Sequence, residues 1–199
     1  ESGAEGIIEF THPDSVENNI KALLPLGIPL VVGTTGWLSK LDSVTSLTKE
    51  TNSNLFYAAN YSIGVNLFYK IVAEASKLIS DFDEYDCAIW EAHHNTKADS
   101  PSGTALKIAD YVLENMKSKT ELVNGNFPGK PEKHQLQVAS TRVGCVPGTH
   151  TVRYHSDDDI LEIKHTLKSR SALATGAVIA AEFICGKSGV FTMDDLFKE

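Results

Sequence analysis

The stretch "IPLVVGTTGW" (residues 28–37) runs Ile28, Leu30, Val31 and Val32 straight into a Gly33-Thr34-Thr35-Gly36 turn. An apolar, β-branched run bounded by such a turn reads as a strand. Its neighbours extend the pattern on both sides. Upstream, "GIIEF" (6–10) reads as a short buried strand, followed by the turn "THPD". "DSVENNIKALLPLG" then reads as a helix, with Asp14 or Ser15 as N-cap, Val16, Ile20, Leu23 and Leu24 at helical spacing, and a stop at Pro25 to Gly27. Downstream, residues 38–50 read as another helix and "NLFYAAN" (54–60) as a third strand. Strands alternating with helices of about a dozen residues predict βαβ units, hence an α/β domain with a parallel sheet covered on both faces.

The pattern changes near residue 62, where a domain boundary is expected. Residues 63–79 predict a long helix with an apolar face at Leu67, Ile71, Ala75 and Leu78. "YDCAIWEAHH" (85–94) alternates as a strand does. "SPSGTALKIADYVLENMK" (100–117) predicts a helix with Ser100 as N-cap and Pro101 in its first position. Residues 120–134, with Gly125, Pro128, Gly129 and Pro131, predict a long polar loop and the most mobile segment. "LQVASTRVG", "THTVRYH" and "DILEIKHTL" read as successive strands, and "SALATGAVIAAEFICGK" (171–187) as an Ala-rich helix. The second region is therefore α+β.

Composition narrows the function classes. With 199 residues and 42% apolar residues the chain can bury a real core. A net charge of -8 argues against sequence-independent nucleic-acid binding, though a local basic pocket for a small anion remains open. Cys87, Cys145 and Cys185 lie far apart without CxxC spacing, which points to reduced thiols in a cytoplasmic protein. No apolar run reaches the length of a membrane span, and no signal peptide is visible. The chain begins Glu-Ser-Gly without an initiator Met, and the expectation is a fragment whose true start is missing.

Two groups of residues could carry chemistry. Gly33-Thr34-Thr35-Gly36 ends a strand, where doubly wound sheets bind ligands, although a tight turn explains the glycines equally well. Asn60 ends the third strand and could cap the next helix or bond a ligand. The second group is "EAHHNTKADSPSGTAL" (91–106). Alternation sends Glu91 and His93 to one face of the strand and Trp90 and His94 to the other, unless the strand ends at His93. The Gly103-Thr104 helix start suits an anion, Lys97 would complete a carboxylate or phosphate pocket, and a histidine beside it suits proton transfer. Each feature alone has an ordinary structural explanation. Their conjunction favours a site. A metal reading is weaker, since adjacent histidines on a strand diverge and no HxH or HExxH spacing occurs.

These motifs resemble one family, the 4-hydroxy-tetrahydrodipicolinate reductases (dihydrodipicolinate reductases) of lysine biosynthesis. The resemblance rests on "EAHHNTKADSPSGTAL" and extends through "EFTHP", "VVGTTGW", "AANYSIGVNL", "STRVGCVPGTHTV" and "LEIKHTLKSRSALATGAVIAAEFI". It implies reduction of a small cyclic dicarboxylate by NADPH or NADH, with His93 and Lys97 handling the proton. It further implies that His94, Lys97, Gly103 and Thr104 bind substrate, and that Gly33, Thr34, Thr35, Ala58, Ala59, Asn60 and Tyr61 line the cofactor, with Phe10 and Thr11 nearby. The implied fold is a Rossmann-like domain (1–62 and 171–199) plus a domain with a mixed sheet (63–170) that binds substrate and builds a homotetramer. The family's opening βα unit with its Gly-rich pyrophosphate turn has no counterpart here, so an N-terminally truncated reductase with impaired cofactor binding is expected. The alternatives are a substrate-binding and assembly module without catalysis, or another two-domain nicotinamide oxidoreductase such as an amino-acid or semialdehyde dehydrogenase.

Overall fold

Leu30 and Val32 face one way from their strand and Val31 faces the other, and all three are fully buried. That is the signature of a strand covered on both sides. In the computed structural model, which describes residues 3–127 and 129–198, this strand is the second of a four-stranded parallel sheet. Glu1, Ser2 and Glu199 of the first expected domain, and Pro128 of the expected loop, lie outside the described residues.

The first unit covers Glu1–Ile63 and Ser171–Glu199. Its elements are β1 (Ile7–Glu9), α1 (Pro13–Leu23), β2 (Leu30–Val32), α2 (Leu41–Glu50), β3 (Asn54–Tyr57) and, after residue 170, α5 (Ser171–Ile184), β9 (Gly189–Phe191) and α6 (Met193–Leu196). The strand order is β1-β2-β3-β9, every pair parallel. Val16, Ile20 and Leu24 from α1 and its continuation pack with Val44 of α2 against Leu30, Val32 and Leu55. On the opposite face Ala177, Ala180 and Ile184 of α5 pack against Val31 and Phe56. The expected α/β class with a parallel, two-sided sheet is what the chain forms.

The second unit covers Gly64–Arg170. Here α3 (Ile63–Ile79) and α4 (Gly103–Asn115) cover one face of a five-stranded mixed sheet. The strands are β4 (Asp86–His93), β5 (Glu121–Asn124), β6 (Gln135–Arg142), β7 (Thr149–His155) and β8 (Ile160–Thr166), in the order β5-β6-β4-β7-β8. β4 pairs parallel with β6 and antiparallel with β7, so it lies at the centre. The inward residues Cys87, Ile89, Leu136, Val138, Val152 and Tyr154 meet Phe68, Val72, Ile108 and Val112 of the helices.

Several local expectations are corrected. The first helix is capped by His12, whose Nδ1 accepts from the Asp14 N–H at 3.3 Å, and Pro13 fills its first position; neither Asp14 nor Ser15 is the cap. Residues 38–40 form a 3₁₀ turn before α2. α3 presents Val65, Phe68, Val72 and Ser76 to the core, whereas Leu67, Ile71 and Leu78 are exposed, so its buried face is not the expected one. α4 starts at Gly103, capped by Ser102, whose hydroxyl accepts from the Ala105 N–H at 3.1 Å; Ser100 and Pro101 precede the helix. The expected polar loop contains strand β5, paired in parallel with β6. Strand β9, absent from the sequence reading, adds the fourth strand to the parallel sheet.

Candidate active site

Strand β4 ends at His93, so the alternation holds up to that point: Glu91 and His93 are buried on the helix-covered face, while Trp90 is 40% exposed on the other. His94 leaves the strand and stands apart from His93. Sheet register then assembles what the linear sequence keeps distant. Glu91 lies opposite Ser140 on β6 and His150 on β7, and His93 lies opposite Arg142.

Glu91 is the centre of this cluster, with its side chain fully buried. Its Oε1 accepts from the Ser102 backbone N–H at 3.0 Å, the Ser140 hydroxyl at 2.8 Å and Arg142 Nη2 at 3.1 Å. Its Oε2 lies 3.2 Å from His93 Nδ1 and 3.6 Å from His150 Nε2. Burial opposes ionisation of this carboxyl, but attraction to the nearby His150 and hydrogen bonds from Ser102 and Ser140 outweigh it and hold the group well below the usual carboxylate range. His93 moves the other way for a histidine. Burial, reinforced by the positive charges of His150, Lys97 and Arg142, lowers its pKa to about 4 against the pull of Glu91. The ring is therefore neutral at physiological pH.

The loop after β4 adds the cation. Lys97 Nζ is bound to both oxygens of Asp99 at 2.6 and 2.8 Å, and Arg142 Nη2 donates to the Asp99 carbonyl at 2.6 Å. The helix start follows. Ser102 caps the Ala105 N–H and its carbonyl accepts from the Leu106 N–H at 3.0 Å, while the N–H groups of Gly103 and Thr104 have no intrahelical partner by helix geometry. Gly103 is exposed, and nothing lies within 4 Å of where its Cβ would be, so a ligand could approach this backbone. His94 is half-buried, its Nδ1 2.7 Å from the Thr96 hydroxyl and its Nε2 3.2 Å from Arg170 Nη2.

Of the expected residues in this unit, His93 ends β4, Lys97 lies in the loop that follows, and Gly103 and Thr104 open α4. The structure adds four that sequence reasoning did not single out: Ser140, Arg142, His150 and Arg170. Only sheet register reveals the first three. The sequence reading weighed His93 with His94 as metal ligands. Among the described residues, the trio with ligand atoms within 4.8 Å of one another is instead Glu91, His93 and His150.

In the first unit, the expected residues collect at the carboxyl ends of β1, β2 and β3. The Thr11 N–H donates to Thr34 Oγ1 at 2.7 Å, and Trp37 Nε1 donates to the Thr34 carbonyl at 2.9 Å. A Cβ on Gly33 would lie 2.1 Å from the Phe10 ring, so only glycine admits that ring over the strand end. Gly36 has φ +88°, the left-handed region that favours glycine. Phe10, Thr11, Thr35 and Ala59 are exposed at this edge, a surface of backbone, hydroxyls and one aromatic ring that fits a nicotinamide cofactor. Asn60 Oδ1 accepts from the Ser62 N–H at 2.9 Å, as a capping carboxamide does. The Tyr61 side chain is committed to the core. Its hydroxyl donates to the Val32 carbonyl at 2.7 Å, burial pushes its pKa up, and it cannot reach a ligand from there. Glu9, missed by sequence reasoning, is buried behind Thr11 and Asn19, with Asn19 Nδ2 3.0 Å from Oε1.

Comparison with known proteins covers both units. Residues 1–61 match the family model described as dihydrodipicolinate reductase, N-terminus, and residues 64–197 match dihydrodipicolinate reductase, C-terminus. The chain is 38% identical over 192 residues to the 4-hydroxy-tetrahydrodipicolinate reductase of Christiangramia forsetii, covering 96% of this chain and 79% of that protein. It is 40% identical over 195 residues to the enzyme of the same name from Methanosarcina mazei, covering 97% and 73% respectively. A solved structure of dipicolinate-bound dihydrodipicolinate reductase from Paenisporosarcina sp. TG-14 superposes with a TM-score of 0.76 at 22% identity, over 94% of this chain and 71% of that one.

Proposed function

Because the chain belongs to the dihydrodipicolinate reductase family, we propose that the residues gathered at the end of β4 carry out the proton-transfer half of that family's reaction. The protein is an NAD(P)H-dependent oxidoreductase that reduces 4-hydroxy-tetrahydrodipicolinate in diaminopimelate and lysine biosynthesis. Its substrate is a small cyclic dicarboxylate. When bound, the nicotinamide supplies a hydride to a ring carbon. The chain's own residues must then hold two carboxylates and deliver one proton to the neighbouring carbon.

The observation that carries this reading is the juxtaposition of an ammonium, a neutral imidazole and an uncommitted helix start within residues 93–104. The Gly103 and Thr104 N–H groups would take one carboxylate, aided by the helix dipole. Arg170 and His94 offer cationic and hydrogen-bonding partners for the other. Lys97 is the proton donor: its Nζ is an ammonium held in place by Asp99. His93, neutral because it is buried, serves as acceptor and relay rather than as an acid. At the sheet edge of the other unit, Gly33, Thr34, Thr35, Ala58 and Ala59 would line the nicotinamide end of the cofactor, with Phe10 and Thr11 beside them. Asn60 and Tyr61 would contribute backbone there.

Two further properties belong to this reading. The face of the mixed sheet away from α3 and α4 exposes Trp90 and Ile160 beside Ala88 and Arg153, which supports assembly of the chain into a homotetramer through that face. Reduced, widely spaced cysteines support a cytoplasmic location. The assay that tests the reading follows NAD(P)H loss with substrate generated in situ by the preceding synthase. Turnover that requires both the cofactor and the cyclic dicarboxylate is expected. Cofactor oxidation independent of the dicarboxylate would overturn it, and light scattering of the same sample checks the tetramer.

A further inference from the structure

We propose that Glu91 is a positioning residue that fixes His93 as the Nδ1–H tautomer and thereby keeps Nε2 available as the proton-accepting nitrogen. This inference rests on His93 acting on the substrate's proton, as argued above. Three observations carry it.

First, Glu91 is over-anchored on one oxygen and unsatisfied on the other. Oε1 has three donors, from Ser102, Ser140 and Arg142, on three different segments of the unit. Oε2 is buried without a hydrogen-bond partner, and so is His93 Nδ1. The two atoms face each other at 3.2 Å, close enough for an ion pair although outside hydrogen-bond geometry. An unmatched oxygen on a buried charge is costly, and natural cores keep such an atom where something depends on it.

Second, electrostatics choose the tautomer. A neutral imidazole carries one proton, and its bare nitrogen presents a lone pair. A lone pair at 3.2 Å from an anionic oxygen is repelled, whereas an N–H is attracted. The proton therefore resides on Nδ1, and a small ring rotation completes the hydrogen bond.

Third, the opposite edge of the ring is kept clear. A Cβ on Gly148 would lie 3.1 Å from His93 Nε2, so a side chain at that position would crowd the nitrogen. The His150 ring packs edge-on at 5.1 Å between centroids and holds the orientation. The anchors also tie the two proton-handling groups together. Arg142 bonds both Glu91 and the Asp99 carbonyl, and Asp99 holds Lys97.

The experiment is nitrogen-15 NMR of the full chain labelled at histidine, with the His93 signals assigned by their loss in His93→Gln. At neutral pH, His93 is expected to show a protonated Nδ1 and a bare Nε2. Glu91→Gln keeps an acceptor for Ser102 but can offer an amide N–H to His93. It should shift the ring toward the Nε2–H tautomer and lower kcat by about a hundredfold, with substrate KM changed only a few-fold. A purely structural Glu91 would lower thermal stability without moving the tautomer. A proton on Nε2 in the unsubstituted protein overturns the proposal, whether or not the variant folds, and so does a Glu91→Gln enzyme with unchanged kcat. The NMR result needs no turnover, so failure of the reductase assay with the Nδ1–H tautomer intact would count against the proposed function alone.

Discussion

At the strand ends of the parallel-sheet unit most polar groups answer one another, although Glu9 Oε2 is buried without a partner. Thr34 takes the Thr11 N–H, and Tyr61 gives its hydroxyl to Val32, leaving a surface of backbone and small side chains. At the end of β4 in the mixed-sheet unit such unmatched atoms concentrate: Glu91 Oε2, His93 Nδ1 and Arg142 Nε. A buried carboxylate, a neutral histidine and an arginine crowd together, and part of their hydrogen-bonding capacity is unmet. The first arrangement suits binding a large, flat cofactor by shape. The second holds strain in charge and suits moving a proton. Stability in the first unit should therefore depend on close packing, and in the second on ionisation.

Packing gives the largest expected effect. A Cβ on Gly176 of α5 would lie 1.7 Å from the Tyr61 carbonyl oxygen. Gly176→Ala must push the helix away from the Tyr61 backbone, a cost of about 1–3 kcal/mol. The loss should appear in the first unit, read by the fluorescence of Trp37 in a Trp90→Phe background. An unchanged transition would break the contrast.

Acid gives the next largest effect, in the other unit. His93 has a folded pKa lowered to about 4 from an ordinary 6.5. His165 is also lowered, first by burial and then by the charge of His150. Between those pH values the unfolded chain binds protons that the folded chain refuses, so stability falls as pH falls through that window and levels off below it. Glu91, held low, contributes stability above the ordinary carboxylate pKa that is lost as pH drops further. Trp90 fluorescence in a Trp37→Phe background should therefore show an earlier acid transition than the Trp37 signal in the Trp90→Phe background. Coincident transitions would contradict the assignment.

The smallest effect sharpens the same comparison. Ser102→Ala removes the cap of α4 and its contact to His150 Nε2 at 3.2 Å, at a cost of about 1 kcal/mol. Thermal unfolding followed by Trp90 should register that loss, and the Trp37 signal should not.

Much of this was legible in the sequence, and the misses have physical causes. "LVV" before a Gly-Thr-Thr-Gly turn reads as a strand end, and strand alternation puts Glu91 and His93 on one face. The buried face of α3 was misjudged because apolar residues surround the helix: Val65, Leu67, Phe68, Ile71, Val72 and Leu78 leave periodicity unable to choose a side. β5 and β9 are short and show no alternation, and β5 sits inside a stretch whose glycines and prolines read as loop. Ser140, Arg142 and His150 were invisible as site residues because each reaches Glu91 or His93 through strand pairing, 49 to 59 positions away in sequence. Sequence spacing reports neighbours along one element, whereas a buried charge cluster is made by the register between elements.

The division of labour is tested most directly by Lys97→Met, with NADPH affinity measured by fluorescence titration beside kcat for the dicarboxylate. The expected result is an unchanged cofactor Kd with kcat reduced by about a hundredfold or more, since only the proposed proton donor in the mixed-sheet unit is lost. A variant that keeps its kcat, or one that loses NADPH binding along with it, would contradict the assignment of binding to one unit and proton transfer to the other.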